Sequence, residues 1–263
     1  MTFLCRIVTF VVLISMAVGC RAHRSTTRSA SESLPMTNQT YELMRKRIDL
    51  NASKILYAEP MTAEHFQRDW TAHNAEWSVQ DGWLTGKNPE NAPGMAILNA
   101  PFPGNVMVEF DARTVLPSTH DIDVMWNGEW LTDENKRGTA YVAGVEGWWT
   151  GKVGLEKSPE YKLTATTPLF DFEPGHIYRI LAGSIDGHLF VFVDGRLLLE
   201  VTDPDPIDSQ RFNKVGFEAY ASHIQVRHIV IRQIAWQPVE MKYGPETGDA
   251  RSGRDQPDAS RVR

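Results

Sequence analysis

The chain has 263 residues but only two cysteines, Cys5 and Cys20. A disulfide framework and a cysteine-based metal site are both excluded, so the fold must rest on its core. Positive charge is not in excess either: the formal net charge is -6, which argues against nucleic acid as a partner. Phosphate-cradling glycine loops and nucleophilic triads are missing. His65, His73, His176, His188, His223 and His228 show no metal-ligand spacing and read as surface or packed residues. No long amphipathic helix and no internal repeat occurs, and the apolar run Ile7 to Val18 is too short for a comfortable membrane span.

What is present begins with the N-terminus. MTFLCRIVTFVVLISMAVGC carries one charge at Arg6, then an apolar run, then small residues before Cys20, which is the anatomy of a secretory signal. Its AVGC ending resembles the lipobox of bacterial lipoproteins. That resemblance implies cleavage after residue 19 and a lipid on Cys20 that anchors the chain to a membrane; an ordinary secretory signal cut nearby is the alternative. Arg21 stands where an inner-membrane retention signal would show aspartate, so an outer-membrane lipoprotein facing the periplasm or the surface is expected. Residues 20–52, starting with the Ser/Thr/Arg-rich RAHRSTTRSASESLPMTNQT, read as a tether in which YELMRKRIDLNA forms one short helix. Residues 238–263 are rich in charge, Gly and Pro and read as a disordered tail. A body at 53–237 remains.

The body has a period of two. VMVEFDARTV (106–115), DIDVMW (121–126), IYRILAGSI (177–185), HLFVFVDGRLLLEV (188–201), KVGFEAY (214–220) and IQVRHIVIRQIAW (224–236) are rich in β-branched and aromatic residues and separated by turn residues. Asp186-Gly187 and Asp194-Gly195 are hairpin signals that join three strands into a meander. Many strands at short spacing make the fold class all-β, a single-domain sandwich or jelly roll.

ILYAEPMTAEHFQRDWTAHNAEWSVQDGWL (55–84), the FPGNVMVEFDA strand, and HLFVFVDGRLLLEVTDPDP with KVGFEAYASHIQVRHIVI together resemble the concanavalin A-like lectin/glucanase sandwiches. Within them the chain is similar in outline to the YesU-like family and to the 3-keto-glycoside hydrolase family, with its VDG hairpin, TDPDP-like turn and closing strand pair. The resemblance implies a concanavalin A-like β-sandwich and a carbohydrate ligand. It also admits a structural calcium, since such sandwiches often carry one. Asp203, Asp205 and Asp208 lie close together in sequence, but Pro204 and Pro206 make a rigid turn the simpler reading.

The stretch STHDIDVMWNGEW places Asp121 and Asp123 on one strand face, opposite Ile122, Val124 and Trp126. Laminarinase-type glucanases of this fold carry E-x-D-x-E, whose outer carboxylates act as nucleophile and acid/base. Here the third position is Met125, which cannot donate a proton, so that mechanism is excluded. Glu109 and Asp111 share a face of their strand, and Glu146 and Trp148 alternate with their neighbours in YVAGVEGWWTGK. Side by side, such strands would line a groove in which carboxylates accept sugar hydroxyl protons and indoles stack on ring C–H groups. In GWWTGKVGLEKSPEYK, either Lys152, Glu156 and Lys157 are solvated loop residues, or a lysine meets a uronate or acts as base with Tyr161 as proton donor.

Two readings follow. In the first, an envelope-anchored module binds sugar through Glu109, Trp126, Trp148 and Trp149, with Asp121, Asp123 and Glu146 as hydroxyl acceptors. In the second, an enzyme cleaves a glycosidic bond by hydrolysis or elimination, on sugars that include 3-keto or uronate forms, with His120, Asp121, Asp123, Glu146 and Lys152 supplying acid and base. An envelope scaffold binding no sugar is the third. The enzyme requires at least one acid with a shifted pKa.

Overall fold

The computed structural model describes residues 40–147, 151–161, 164–168 and 170–240. In chain order the strands are β1 (Thr40–Leu43), β2 (Lys46–Tyr57), β3 (Trp70–His73), β4 (Glu76–Gln80), β5 (Trp83–Asn88) and β6 (Gly94–Leu98). They continue with β7 (Val106–Thr114), β8 (Ile122–Gly128), β9 (Trp130–Leu131), β10 (Lys136–Arg137), β11 (Ala140–Val145) and β12 (Val153–Ser158). Last come β13 (Thr164–Thr167), β14 (Tyr178–Ile185), β15 (His188–Val193), β16 (Arg196–Thr202), β17 (Lys214–Ala219) and β18 (Ser222–Pro238). One helix, α1 (Ala63–Asp69), is capped by the Thr62 hydroxyl, which accepts from the His65 amide.

Two antiparallel sheets face each other. Sheet A runs β1-β2-β18-β7-β14-β15-β16, with β5 also on β18 and β4 on β5; sheet B runs β13-β12-β11-β8-β17-β6-β3. Period-two alternation sends Val106, Val108, Phe110 and Ala112 of β7 inward against Ile122, Val124 and Trp126 of β8, all buried. Each valine, isoleucine or phenylalanine among them taken fully out of water contributes about 1.5–3 kcal/mol. Both Asp-Gly turns form as the sequence indicates: Asp186 and Gly187 have φ 50° and 78°, Asp194 and Gly195 50° and 77°.

Residues 40–57 depart from the expected tether and short helix. They form the β1–β2 hairpin, and the sandwich therefore starts at Thr40 rather than Ser53. The hairpin adds a partial third layer on the outer face of sheet A. Tyr41, Leu43 and Ile48 pack on Met107, Leu181, Phe190 and Phe192, with the Tyr41 and Phe192 rings 4.6 Å apart. A helix would turn Leu43 away from Tyr41 and Ile48, whereas the two strands aim all three at the sheet.

Candidate functional site

Sheet B has a chemically rich outer face because its strands alternate. From β8, Asp123 and Met125 point outward, and Asp121 stands just before the strand. The register aligns Glu218 of β17, Asp123, Gly144 of β11 and Gly154 of β12 in one cross-strand row. Two positions along, Gly216, Met125, Val142 and Glu156 form the next outward row. Three acid-bearing strands, with glycines among them, thus bring Asp123, Glu218 and Glu156 onto one surface.

The β9–β10 hairpin folds over the same surface. Trp130 packs against the apolar patch of Met95, Ile97, Met125, Ala140 and Val142, and stacks on His73 at 4.3 Å. This seats Arg137 above the acids: its guanidinium donates to Glu218, to Glu156 Oε1 at 2.9 Å and to Ser158 Oγ at 3.3 Å. Tyr161, about half exposed, contacts the same guanidinium, and burial and Glu156 raise its pKa.

Four buried carboxyls therefore share one buried cation. Burial, then the charge of Glu218, pushes the Asp121 carboxyl up to about 7. Burial, then Asp121 and Glu218, holds Asp123 well above the carboxylate range. Burial also lifts Glu156 to about 8, against the pull of Arg137, and raises Glu218 against the same pull. Arg137 remains charged: burial opposes its charge, but Glu218 and Glu156 outweigh it and raise its pKa. Asp121 and Asp123 are close enough for the charge of Asp121 to raise Asp123, so the two titrate as a pair. Asp121 Oδ2, Asp123 Oδ1 and Glu156 Oε2 have no hydrogen-bond partner among the described residues.

The backbone here is unusual. Asp121 and Glu146 adopt positive φ, 75° and 54°, and the Asp121 amide donates to the Glu146 carbonyl at 2.9 Å. Non-glycine residues in this region carry strain that the surroundings must hold. Gly147 completes the arrangement: a Cβ there would lie 3.3 Å from Oδ1 of Asp121 and also from that of Asp123, so a side chain would press on the pair.

Of the residues expected from sequence, Asp121, Asp123 and Glu146 are brought together. Glu146 accepts from the Gly151 amide through its carboxylate, and Lys152 contributes its backbone carbonyl, which accepts from the Glu146 amide. His120 precedes the pair, half-buried, with no side-chain hydrogen bond among the described residues. Two assignments are corrected. Glu109 faces outward from sheet A, paired with Arg179 at 2.7 Å, because β7 belongs to the other sheet. Trp126 is no stacking platform: the alternation that turns Asp123 to the outer face turns it into the core, where its Nε1 donates to Ser184 Oγ at 3.0 Å. Trp148, Trp149 and Cys20 lie outside the described residues.

Sequence reasoning missed Glu218 and Arg137, and it left Glu156 open as a solvated loop residue although it is fully buried on β12. The signal was faint but present: Gly154-Leu155-Glu156 and Gly216-Phe217-Glu218 repeat one apolar-in, acid-out pattern. In the TDPDPIDS turn, two of the three carboxylates meet one lysine. Asp203 accepts from the Tyr141 hydroxyl and pairs with Lys157, Asp205 stands 3.7 Å from the same lysine with 98% of its side chain exposed, and Asp208 caps its own turn at Gln210. Among the described residues, no group of three or more His, Cys, Asp or Glu is placed to hold a metal ion.

No family model matches the chain, and no curated protein sequence matches it. Solved structures do. A Bacillus subtilis protein of unknown function with a galectin-like fold aligns with a TM-score of 0.55 at 16% identity, over 69% of this chain and 97% of that one. A structure described under endo-acting O-glycanases of the human gut microbiota that initiate mucin breakdown aligns at 0.50 and 10% identity, over 71% and 100%. A carbohydrate-binding module, CBM66 of Bacillus subtilis, aligns at 0.48 and 14%, over 63% and 96%. The two-sheet topology and the first two of these likenesses agree: the chain has a β-sandwich fold of the galectin-like, concanavalin A-like type.

Proposed function

We propose that this protein acts on carbohydrate at the outer face of sheet B and cleaves a glycosidic bond there by acid/base catalysis. The observation that carries the reading is the set of three partnerless carboxylate oxygens, on Asp121, Asp123 and Glu156, all on carboxyls whose pKa burial raises. Buried acceptors without donors are costly, and sugar hydroxyls are donors of the right kind. A pair that holds one proton near neutral pH contains both an acid and a base. Its protonated member donates to the glycosidic oxygen; its ionised member activates water or stabilises the charge developing on the ring. Arg137, clamped between Glu218 and Glu156, fixes the frame and keeps those two acids apart from the chemistry. The fold is shared with a structure described under endo-acting O-glycanases, so glycan chemistry is compatible with it.

A non-catalytic sugar-holding module is the second reading, favoured by the near-complete burial of all four acids. In either case the signal-like N-terminus supports export, with Cys20 as the lipid-bearing anchor to the envelope. The motif resemblance makes 3-keto and uronate-containing oligosaccharides the first substrates to try. Incubation of the full chain with such a panel, read by mass spectrometry for products and by calorimetry for binding, tests the proposal. Product lost in Asp123→Asn supports catalysis, binding without product supports the module, and silence in both refutes the site.

A further inference from the structure

The outer face of sheet A carries a second cluster that the site on sheet B does not use. Trp83 of β5 lies under two guanidiniums, that of Arg227 at 4.2 Å from the ring and that of Arg113 at 4.6 Å. Arg113 Nε donates to Gln225 Oε1 at 2.8 Å, and Gln225 Nε2 donates to Thr85 Oγ1 at 3.1 Å, so the Arg113 fork is held in place from behind. Next to it, Asp111 accepts from Arg179 at 2.9 Å, meets His228 Nδ1 at 2.8 Å, and stands 3.5 Å from Arg227 Nε. Glu109 is met by Arg179 and, at 3.6 Å, by Arg232.

Charge on this face does not balance. Arg113, Arg179, Arg227 and Arg232 confront only Glu109 and Asp111, and among the described residues no carboxylate pairs with Arg113. The Nε atoms of Arg179, Arg227 and Arg232 are buried without a hydrogen bond. Arg113 and Arg227 share one indole and repel; burial, then Arg227, pulls the Arg113 pKa below its ordinary value. Stacked guanidiniums keep their donor edges free and pre-aligned, which is the arrangement that grips a planar or tetrahedral oxyanion.

We propose that Trp83, Arg113, Arg227 and Gln225 form a binding site for an oxyanion of the kind acidic sugar chains carry, a carboxylate or a sulfate ester. The site rests on sheet A alone and does not depend on catalysis at sheet B. Calorimetry on the full chain would compare a galacturonate oligomer, a sulfated oligosaccharide, a neutral oligosaccharide of equal length and inorganic sulfate. One acidic oligosaccharide binds saturably and the neutral one does not bind here; which acid binds distinguishes carboxylate from sulfate ester. Arg113→Ala weakens that binding by about tenfold, as expected for loss of charge-assisted hydrogen bonds. Arg113→Lys, which keeps the charge but not the fork, falls between and serves as the reading should the alanine variant not fold. Binding of no acidic oligosaccharide, of inorganic sulfate only, or equally by wild type and both Arg113 variants would overturn the proposal.

Discussion

The two outer faces of the sandwich are built by the same alternation and carry opposite chemistry. On sheet A, Glu109 and Asp111 are each surrounded by more than one cation, and the surplus is positive. On sheet B, Asp121, Asp123, Glu156 and Glu218 crowd one arginine, and the surplus is negative. Sheet A meets its carboxylates with guanidiniums. Sheet B meets the deficit by holding protons, because a buried carboxyl without a counter-ion is cheaper neutral than charged. The comparison teaches that strand geometry supplies a surface, while the ratio of acids to arginines decides whether that surface can donate a proton.

The comparison can be broken most sharply at its single cation. Arg137→Ala strips Glu218 and Glu156 of their partner and should destabilise the protein by about 3–5 kcal/mol at pH 8, the range for removing one member of a buried pair. At pH 5, where Glu156 is protonated, the loss should be clearly smaller; urea unfolding at the two pH values measures both. An equal loss at both would mean the acids do not depend on Arg137 for their charge.

A second test varies only the proton. Asp121 rises from 3.8 to about 7 and Glu156 from 4.5 to about 8 on folding, so between those limits the folded chain holds more protons than the unfolded one. This contribution to stability is full below about pH 4 and is lost as pH rises through the folded values. By these two values wild type should therefore lose on the order of 6 kcal/mol between pH 5 and pH 8. Asp123→Asn, which removes one acid of the pair, should flatten that decline and unfold later than wild type at pH 8. The smallest effect is expected at His120, which is half-buried in the loop before β8. His120→Ala should change stability by less than about 0.5 kcal/mol and leave the pH profile in place.

These contrasts explain what could be read from one sequence. The sandwich was legible because period two and the Asp-Gly turns are local, and so was the shared face of Asp121 and Asp123. The β1–β2 hairpin was not, since YELMRKRIDL becomes two strands only by covering Phe190 and Phe192, far along the chain. Glu156 and Glu218 join Asp123 through pairings of β8 with β11 and β17, and β11 with β12, whose register no local spacing encodes. Glu109 was misplaced for the same reason: alternation says which residues share a face of one strand, not which sheet that strand enters. Trp126 was the exception, because its alternation with Asp123 already pointed it inward.

The most direct measurement is a carbon-13 NMR titration of the aspartate side-chain carboxyls in wild type and in Asp123→Asn. A carboxyl signal that remains protonated above pH 6 in wild type, and is lost or shifted in the variant, is the expected result. If every aspartate carboxyl titrates below pH 5, the pair holds no proton at neutral pH and sheet B has no acid to donate.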